Sequence, residues 1–246
     1  MILVIGSTFD DVLYFDAKVR NKRDEKPFGT VSVFSGDIFS QRVIVAYGAS
    51  TSYIASAATA YLAAKYSTIL VINVGSCFSY GEDMKPGDIA ISESIHICDV
   101  DQRVADSRLR VGQIPGMPQY FNVMTYLANL TVTTAEKLSL TNVRAATFFS
   151  TDTIYKSEEE TRAFTSGEYV LGSNKNIVFD SESGGVPVAS NLIECPSLSV
   201  KVVTSPFKDK VETKDLVNVM RAYARVGKLL IALIGEISRN DTIMSN

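Results

Sequence analysis

Two apolar segments, each next to a glycine-containing stretch, most constrain the fold of this chain of 246 residues. Ile69–Val74 is an apolar run that ends at Gly75-Ser76, and a strand-like run, Asp88–Ser92, begins after Pro86-Gly87. A glycine directly after a buried strand removes the Cβ that would keep a ligand away from the backbone. In open α/β sheets, ligands bind at the carboxyl ends of the strands. The segment therefore predicts a small-molecule site at a Gly-Ser turn.

Strand-like and helix-like segments alternate along the chain. The predicted strands are the runs rich in Val and Ile: Ile2–Ile5, Thr30–Phe34, Arg42–Ala46, Ile69–Val74, Asp88–Ser92, Val143–Phe149, Ile177–Phe179 and Leu198–Thr204. Ser52–Tyr66 is rich in alanine at helical spacing. Lys214–Ile237 carries an apolar stripe that consists of Leu216, Met220, Tyr223, Val226, Leu230, Leu233 and Ile237. This alternation predicts an α/β fold of three layers with a mixed central sheet, against which the last helix packs. No repeat or linker divides the sequence, so residues 1–246 are predicted to form a single domain.

Composition argues against several classes of partner. The net charge is −3 and charged residues make up 21% of the chain, which gives no electrostatic reason to expect nucleic acid or an anionic membrane. Three scattered cysteines and one histidine predict no metal centre, and no cofactor is expected.

The apolar start, Met1–Gly6, is interpreted as a core strand rather than a signal peptide. No apolar run reaches the roughly 18 residues of a membrane helix, and a cytoplasmic protein is expected.

Two charged segments have simple structural interpretations. The run from Asn21 to Pro27 is predicted to be a solvated loop. Ser157 and Glu160 have the spacing of a capping box and predict a helix start.

Four phrases of the sequence resemble one family. They are Gly75-Ser76, Lys85-Pro-Gly-Asp-Ile-Ala-Ile-Ser, Asp99-Val-Asp101 and Gly112-Gln-Ile-Pro-Gly-Met-Pro. Together they resemble the 5′-methylthioadenosine/S-adenosylhomocysteine nucleosidases of the purine nucleoside phosphorylase superfamily. The resemblance implies a nucleoside phosphorylase-like αβα fold and hydrolysis of an N-ribosidic bond. Such a reaction needs a carboxylate that activates water, a group that holds the ribose hydroxyls and an acid that protonates the purine.

The resemblance implies three catalytic positions. Asp11 aligns with the acidic residue that activates water, although this aspartate would serve equally well to cap the following helix. Glu182, in the phrase Phe179-Asp-Ser-Glu-Ser183, aligns with the carboxylate that holds the 2′- and 3′-hydroxyls. Ser205 stands where the family has the aspartate that protonates the purine. A serine hydroxyl donates a hydrogen bond but delivers no proton at neutral pH, and Asp209 is the alternative acid.

The resemblance also implies a substrate-binding set. It consists of Ser7, Gly75, Ser76, Ile154, Tyr155, Asp180 and Ser181. Ile154 replaces an aromatic residue at the base, where Tyr155 could stack instead, and Ser181 replaces a methionine at the ribose.

Three functions remain open from the sequence. The first is a nucleosidase that acts on methylthioadenosine, S-adenosylhomocysteine or a related purine nucleoside. The second is a nucleoside-binding protein that has lost catalysis. The departures at Asp11, Ile154, Ser181 and Ser205 favour either this second function or an altered substrate. The third is a phosphorylase, which Asn73 disfavours because it replaces a phosphate-binding arginine. The resemblance further implies a homodimer with the Gly112–Tyr120 loop at the interface.

Overall fold

The structure is a computed structural model that describes residues 1–80, 83–153, 176–206 and 213–239. Its strands are β1 (Ile2–Gly6), β2 (Arg20–Asp24), β3 (Ser32–Ile38), β4 (Gln41–Tyr47), β5 (Leu70–Tyr80), β6 (Ile89–Ile97), β7 (Phe121–Asn122), β8 (Val143–Ser150), β9 (Ile177–Asp180) and β10 (Ser197–Pro206). Its helices are α1 (Phe9–Lys18), α2 (Ser52–Tyr66), α3 (Thr125–Lys137), α4 (Gly185–Leu192) and α5 (Thr213–Arg239).

The described strands form one mixed, ten-stranded sheet. Its order is β10-β6-β8-β9-β5-β1-β4-β3-β2, with β7 beside β6. β5 also pairs in parallel with β10, so that β5, β10, β6, β8 and β9 form a closed circuit. β1 lies parallel to both β4 and β5. The carboxyl ends of β1, β5 and β10 therefore meet at one edge, as the site prediction requires.

Helices cover both faces of the sheet. Alternate residues of β1 face opposite ways: Ile2 and Val4 join the core under α1, α3 and α5, whereas Leu3 and Ile5 join the core under α2 and α4. The predicted three-layer αβα architecture is confirmed, and the last helix packs on the sheet as expected. None of the helices in the described part of the chain is long and apolar enough to cross a membrane.

Two local predictions were wrong. β5 does not end at Gly75-Ser76 but continues to Tyr80, because both residues stay paired with Lys201 and Val202 of β10. The charged run predicted as a loop contains β2, whose five exposed residues pair with β3 at the edge of the sheet. Charged side chains are common on exposed edge strands, where they oppose pairing with another chain.

The apolar stripe of the last helix is confirmed in part, because Tyr223 packs against the core and Val226, Leu230, Leu233 and Ile237 lie in it. Its first members do not reach the core: Leu216 is 49% exposed and Met220 is 73% exposed. The buried face of α5 instead begins at Val219 and Ala222. The capping box predicted at Ser157 lies outside the described residues.

Candidate active site

A fully buried lysine is the centre of the site. Lys201 lies in β10 and is 0% exposed. Its Nζ lies 3.1 Å from Asp180 Oδ2 and 3.0 Å from Glu182 Oε2. Lys201 is the register partner of Gly75, and a Cβ on Gly75 would lie only 3.0 Å from the Lys201 Nζ. The glycine therefore leaves the space that the ammonium group occupies.

Asp180 and Glu182 reach this lysine from the end of β9. β9 ends at Asp180, and α4 begins at Gly185. The Asp180 carboxylate also accepts hydrogen bonds from the Ser183 backbone N–H and hydroxyl. These bonds hold the short connection, so that Glu182, which is 5% exposed, turns inward.

Asp11 occupies the third side of the cluster. Its Oδ2 accepts three hydrogen bonds, from the Ser7 N–H at 3.0 Å, the Ser7 hydroxyl at 3.0 Å and the Thr8 N–H at 2.7 Å. Its Oδ1 lies 3.6 Å from where a Cβ on Gly75 would be. One oxygen thus caps α1 while the other faces the lysine side of the strand ends. The geometry accommodates both interpretations of Asp11 that the sequence left open.

Burial sets the electrostatics of this cluster. Burial alone would lower the pKa of Lys201, but the nearby carboxylates of Glu182, Asp180 and Asp11 outweigh that effect and raise the pKa above its ordinary value. The lysine is therefore charged. For Asp180, burial is the largest effect and raises its pKa, and the Glu182 charge adds to the rise while Lys201 opposes it. The site holds one cation among three carboxyl groups.

The remaining residues predicted for the site lie around the cluster, at the strand ends or outside the described residues. Ser76 follows Gly75 in β5, and Ser7 is bound to Asp11. The Ser181 hydroxyl donates to the Ser50 carbonyl at 3.4 Å. Ser205 is 6% exposed near the carboxyl end of β10, beyond a register shift that follows Val203. Ile154, Tyr155 and Asp209 lie outside the described residues.

Lys201 is the residue that sequence reasoning missed. One signal could have identified it: it is the lone charged residue inside the apolar run Leu198–Thr204. A lysine is almost never fully buried unless it is paired, so its place in a core strand already requires carboxylate partners.

Taken together, these observations describe an α/β protein with a buried, charged cluster at the strand ends, which is where such folds bind small molecules. The chain belongs to the phosphorylase superfamily, whose family model matches residues 2–238.

Two curated relatives are 5′-methylthioadenosine/S-adenosylhomocysteine nucleosidases. The one from Oceanobacillus iheyensis is 23% identical over 158 residues, which cover 64% of this chain and 67% of that protein. The one from Shewanella piezotolerans is 30% identical over 118 residues, which cover 48% of this chain and 50% of that protein. The chain thus spans about half to two thirds of the length of these relatives.

Similar solved structures share the fold over nearly the whole chain. The 5′-methylthioadenosine/S-adenosylhomocysteine nucleosidase of Neisseria meningitidis, in complex with methylthio-immucillin-A, has a TM-score of 0.84 at 20% identity and covers 96% of this chain and 98% of that one. The futalosine hydrolase of Helicobacter pylori has a TM-score of 0.83 at 16% identity and covers 96% of this chain and 97% of that one. At such identities the likeness establishes the fold.

Proposed function

We propose that this protein is a nucleosidase that hydrolyses the N-ribosidic bond of 5′-methylthioadenosine, S-adenosylhomocysteine or a related purine nucleoside. The observation that carries the proposal is the buried cluster of Asp11, Glu182 and Asp180 around Lys201, at the strand ends where this fold binds ligands. The names of the curated relatives support the same activity.

Each carboxylate has a role in this reaction. Asp11 has one oxygen held by Ser7 and Thr8 and the other facing the cluster, so it is oriented to accept a proton from the attacking water. Glu182 binds the 2′- and 3′-hydroxyls. Lys201 donates one hydrogen bond to Glu182 Oε2, and an ionised carboxylate has about four acceptor sites, so Glu182 can still accept hydrogen bonds from the two hydroxyls.

The charge of the cluster favours cleavage through a positive sugar. Three carboxyl groups exceed the single ammonium group, so the site is net negative when the carboxyl groups are ionised. A preorganised negative field in a buried site stabilises an oxocarbenium-like transition state, in which positive charge grows on the ribose.

The same charge argues against a phosphate acceptor. A phosphate would meet the carboxylates, and Lys201 is already bound by two of them. Asn73 offers no replacement because it is buried between strands, where its amide donates to the Ile5 carbonyl at 3.1 Å. Water is therefore the acceptor in this proposal, and the phosphorylase is the disfavoured alternative.

The site stabilises the leaving purine less well than it stabilises the sugar. Ser205 supplies at most a hydrogen bond at the purine, and loss of a positioned general acid typically costs about 10²- to 10⁴-fold in rate. We therefore propose slow turnover. A nucleoside-binding protein without catalysis is the second candidate, and Ser205 is the residue that favours it.

Release of adenine decides between these functions. Purified protein is incubated with methylthioadenosine, and separately with S-adenosylhomocysteine, while chromatography follows free adenine and calorimetry follows binding. The proposal expects adenine release without phosphate and no ribose-1-phosphate product when phosphate is added. Binding without release would instead support the binding protein, and phosphate-dependent release would support the phosphorylase.

Two further features belong to this proposal. A homodimer, with the Gly112–Tyr120 loop at its interface, is supported by the family resemblance of that loop, and sedimentation measurements test it. A cytoplasmic location stays a prediction from the sequence.

A further inference from the structure

Phe78 is an exposed aromatic residue in the interior of the sheet. It lies in β5 and is 47% exposed, although its neighbours Cys77 and Ser79 are 1% and 0% exposed. Phe78 pairs with Ser205 of β10 and with Phe179 of β9, so it has a strand on either side. Single exposed apolar side chains are common on protein surfaces, but helices cover both faces of this sheet. A half-exposed ring on an interior strand therefore indicates a gap in that cover.

This ring lies on the face of the sheet that α1 and α5 cover. Val74 of β5 belongs to the core under those helices, and Phe78, four residues further along the strand, points the same way. Gly6 of β1 is the register partner of Val74, and a Cβ on Gly6 would lie 2.8 Å from the Asp11 Cβ. Asp11 therefore approaches the strand ends from the face on which Phe78 is exposed.

The Asp11 carboxylate connects this face to the Lys201 cluster. β1 ends at Gly6, whereas β5 continues past it. Beyond the end of β1, Asp11 Oδ1 lies 3.6 Å from where a Cβ on Gly75 would be, and Lys201 Nζ lies 3.0 Å from the same point. Phe78 follows Gly75 by three residues, about 10 Å along β5, which a nucleoside can span.

Phe78 also lies between the strands that carry the purine and the ribose residues. Register partners on adjacent strands are about 5 Å apart, and their side chains point to the same face. On one side of Phe78 is Ser205, the residue proposed to hydrogen-bond the purine. On the other side is Phe179, which directly precedes Asp180 and the turn that carries Glu182. A nucleoside that contacts both Ser205 and Glu182 therefore lies across Phe78.

We propose that the purine base stacks on Phe78, and that this ring supplies the aromatic contact that the sequence lacks at Ile154. The inference rests on the proposed function, because that function makes a purine nucleoside the ligand. An exposed ring next to a hydroxyl group offers a flat apolar surface and a hydrogen bond, and a purine can use both. Stacking of this kind selects a flat aromatic leaving group without distinguishing one purine from another.

A fluorescent variant tests this contact directly. The chain contains no tryptophan, so Phe78→Trp places a single indole at the stacking site. Adenine should quench its emission, and so should methylthioadenosine followed before appreciable hydrolysis, each with a midpoint that matches calorimetry on the same variant. The matched control is Phe39→Trp, at a residue that is 56% exposed in the turn between β3 and β4. Neither ligand should quench the emission of the control.

Binding to Phe78→Leu measures how much the ring contributes. This variant should bind adenine and methylthioadenosine about five- to 100-fold more weakly than the wild type, and by the same factor for both, because both present the base. Phe78→Tyr keeps the ring and should bind both ligands within about threefold of the wild type. Phe39→Leu should leave both affinities unchanged. Because the ring is half exposed, Phe78→Leu should melt within about 3 °C of the wild type.

Four outcomes would overturn the role of Phe78 and leave the nucleosidase proposal to be decided by adenine release. One is unchanged emission of Phe78→Trp at ligand concentrations that saturate it in calorimetry. Another is an emission that follows protein concentration instead of ligand, which would assign the ring to a contact between two copies of the chain.

The other two outcomes concern Phe78→Leu, which also decides the matter if the tryptophan variant does not bind. They are wild-type affinity for both ligands, and a loss confined to methylthioadenosine, which would place the ring at the sugar. A wild-type protein that binds neither ligand and releases no adenine would overturn both the stacking role and the nucleosidase proposal.

Discussion

Replacement of Lys201 by methionine tests the electrostatic balance of the cluster. The two ion pairs, at 3.0 and 3.1 Å, join side chains that are between 0% and 6% exposed. Lys201→Met keeps most of the side-chain volume but leaves Asp180 and Glu182 buried without their cation. Removing one partner of a buried ion pair typically destabilises by about 3–5 kcal/mol, a large share of a typical unfolding free energy of about 5–15 kcal/mol.

The loss of unfolding free energy in Lys201→Met should become larger as the pH rises. Burial already raises the pKa of Asp180, and without Lys201 the pKa rises further. Above about pH 4 the unfolded carboxyl group has lost its proton while the folded one keeps it, up to the raised pKa. Because the folded state then binds more protons, the free energy of unfolding of the variant falls as the pH rises through this window. The deficit relative to the wild type should be smaller at pH 5 than at pH 8.

Urea unfolding at the two pH values measures this deficit. The matched control is Lys137→Met, which removes a surface ion pair with Glu236 at 3.4 Å, in which the lysine side chain is 57% exposed. That control should cost about 1 kcal/mol or less at either pH. A Lys201→Met loss at pH 8 no larger than the control's would refute the account of a charged, mutually dependent cluster.

Three further predictions concern single side chains. Glu182→Gln should weaken nucleoside binding by at least about 1.5 kcal/mol, because a charged acceptor is lost, and unchanged affinity in calorimetry would remove Glu182 from the ribose site. Ser205→Asp should raise turnover by roughly one to three decades, mainly in kcat, and a folded variant without any gain would show that another group protonates the purine. His96 is stacked between Tyr120 and Phe149, and burial lowers its pKa to about 4, so the wild-type free energy of unfolding should rise from pH 4 to pH 6.5 as the unfolded histidine loses its proton. In urea titrations, His96→Phe should remove up to about 3 kcal/mol of that rise, since each pKa unit is worth about 1.4 kcal/mol. If the unfolding free energies of the two proteins rise equally with pH, His96 does not have the lowered pKa.

The sequence predicts best where local chemistry decides the structure. Helix α2 has the predicted bounds, Ser52–Tyr66, because its alanine-rich run begins where the Thr51 side chain accepts from the Ile54 N–H. It ends at Tyr66, just before the capping residue Ser67, whose backbone is left-handed with φ 49°. Start and stop signals of this kind lie within a few residues of the helix they delimit.

The sequence predictions failed where contacts between residues far apart in sequence decide the structure. The Gly75-Ser76 pair has the composition of a turn, yet β10 pairs with it and extends β5 to Tyr80. The sequence around Lys201 does not reveal why a charged residue lies in a core strand. Its carboxylate partners come from α1 and from the end of β9, far away in sequence. Long-range pairing of this kind is set by tertiary packing rather than by local propensity.

The most direct test of the account is the rate of adenine release by Asp11→Asn at saturating methylthioadenosine. Its matched control is Asp10→Asn, one residue earlier in the first turn of α1 and exposed. We predict that Asp11→Asn lowers kcat at least about 100-fold, as expected for loss of a general base, while Kd by calorimetry stays within threefold. Asp10→Asn should match the wild type. Turnover by Asp11→Asn within threefold of that control would contradict the central claim that the Asp11 side of the Lys201 cluster activates the attacking water.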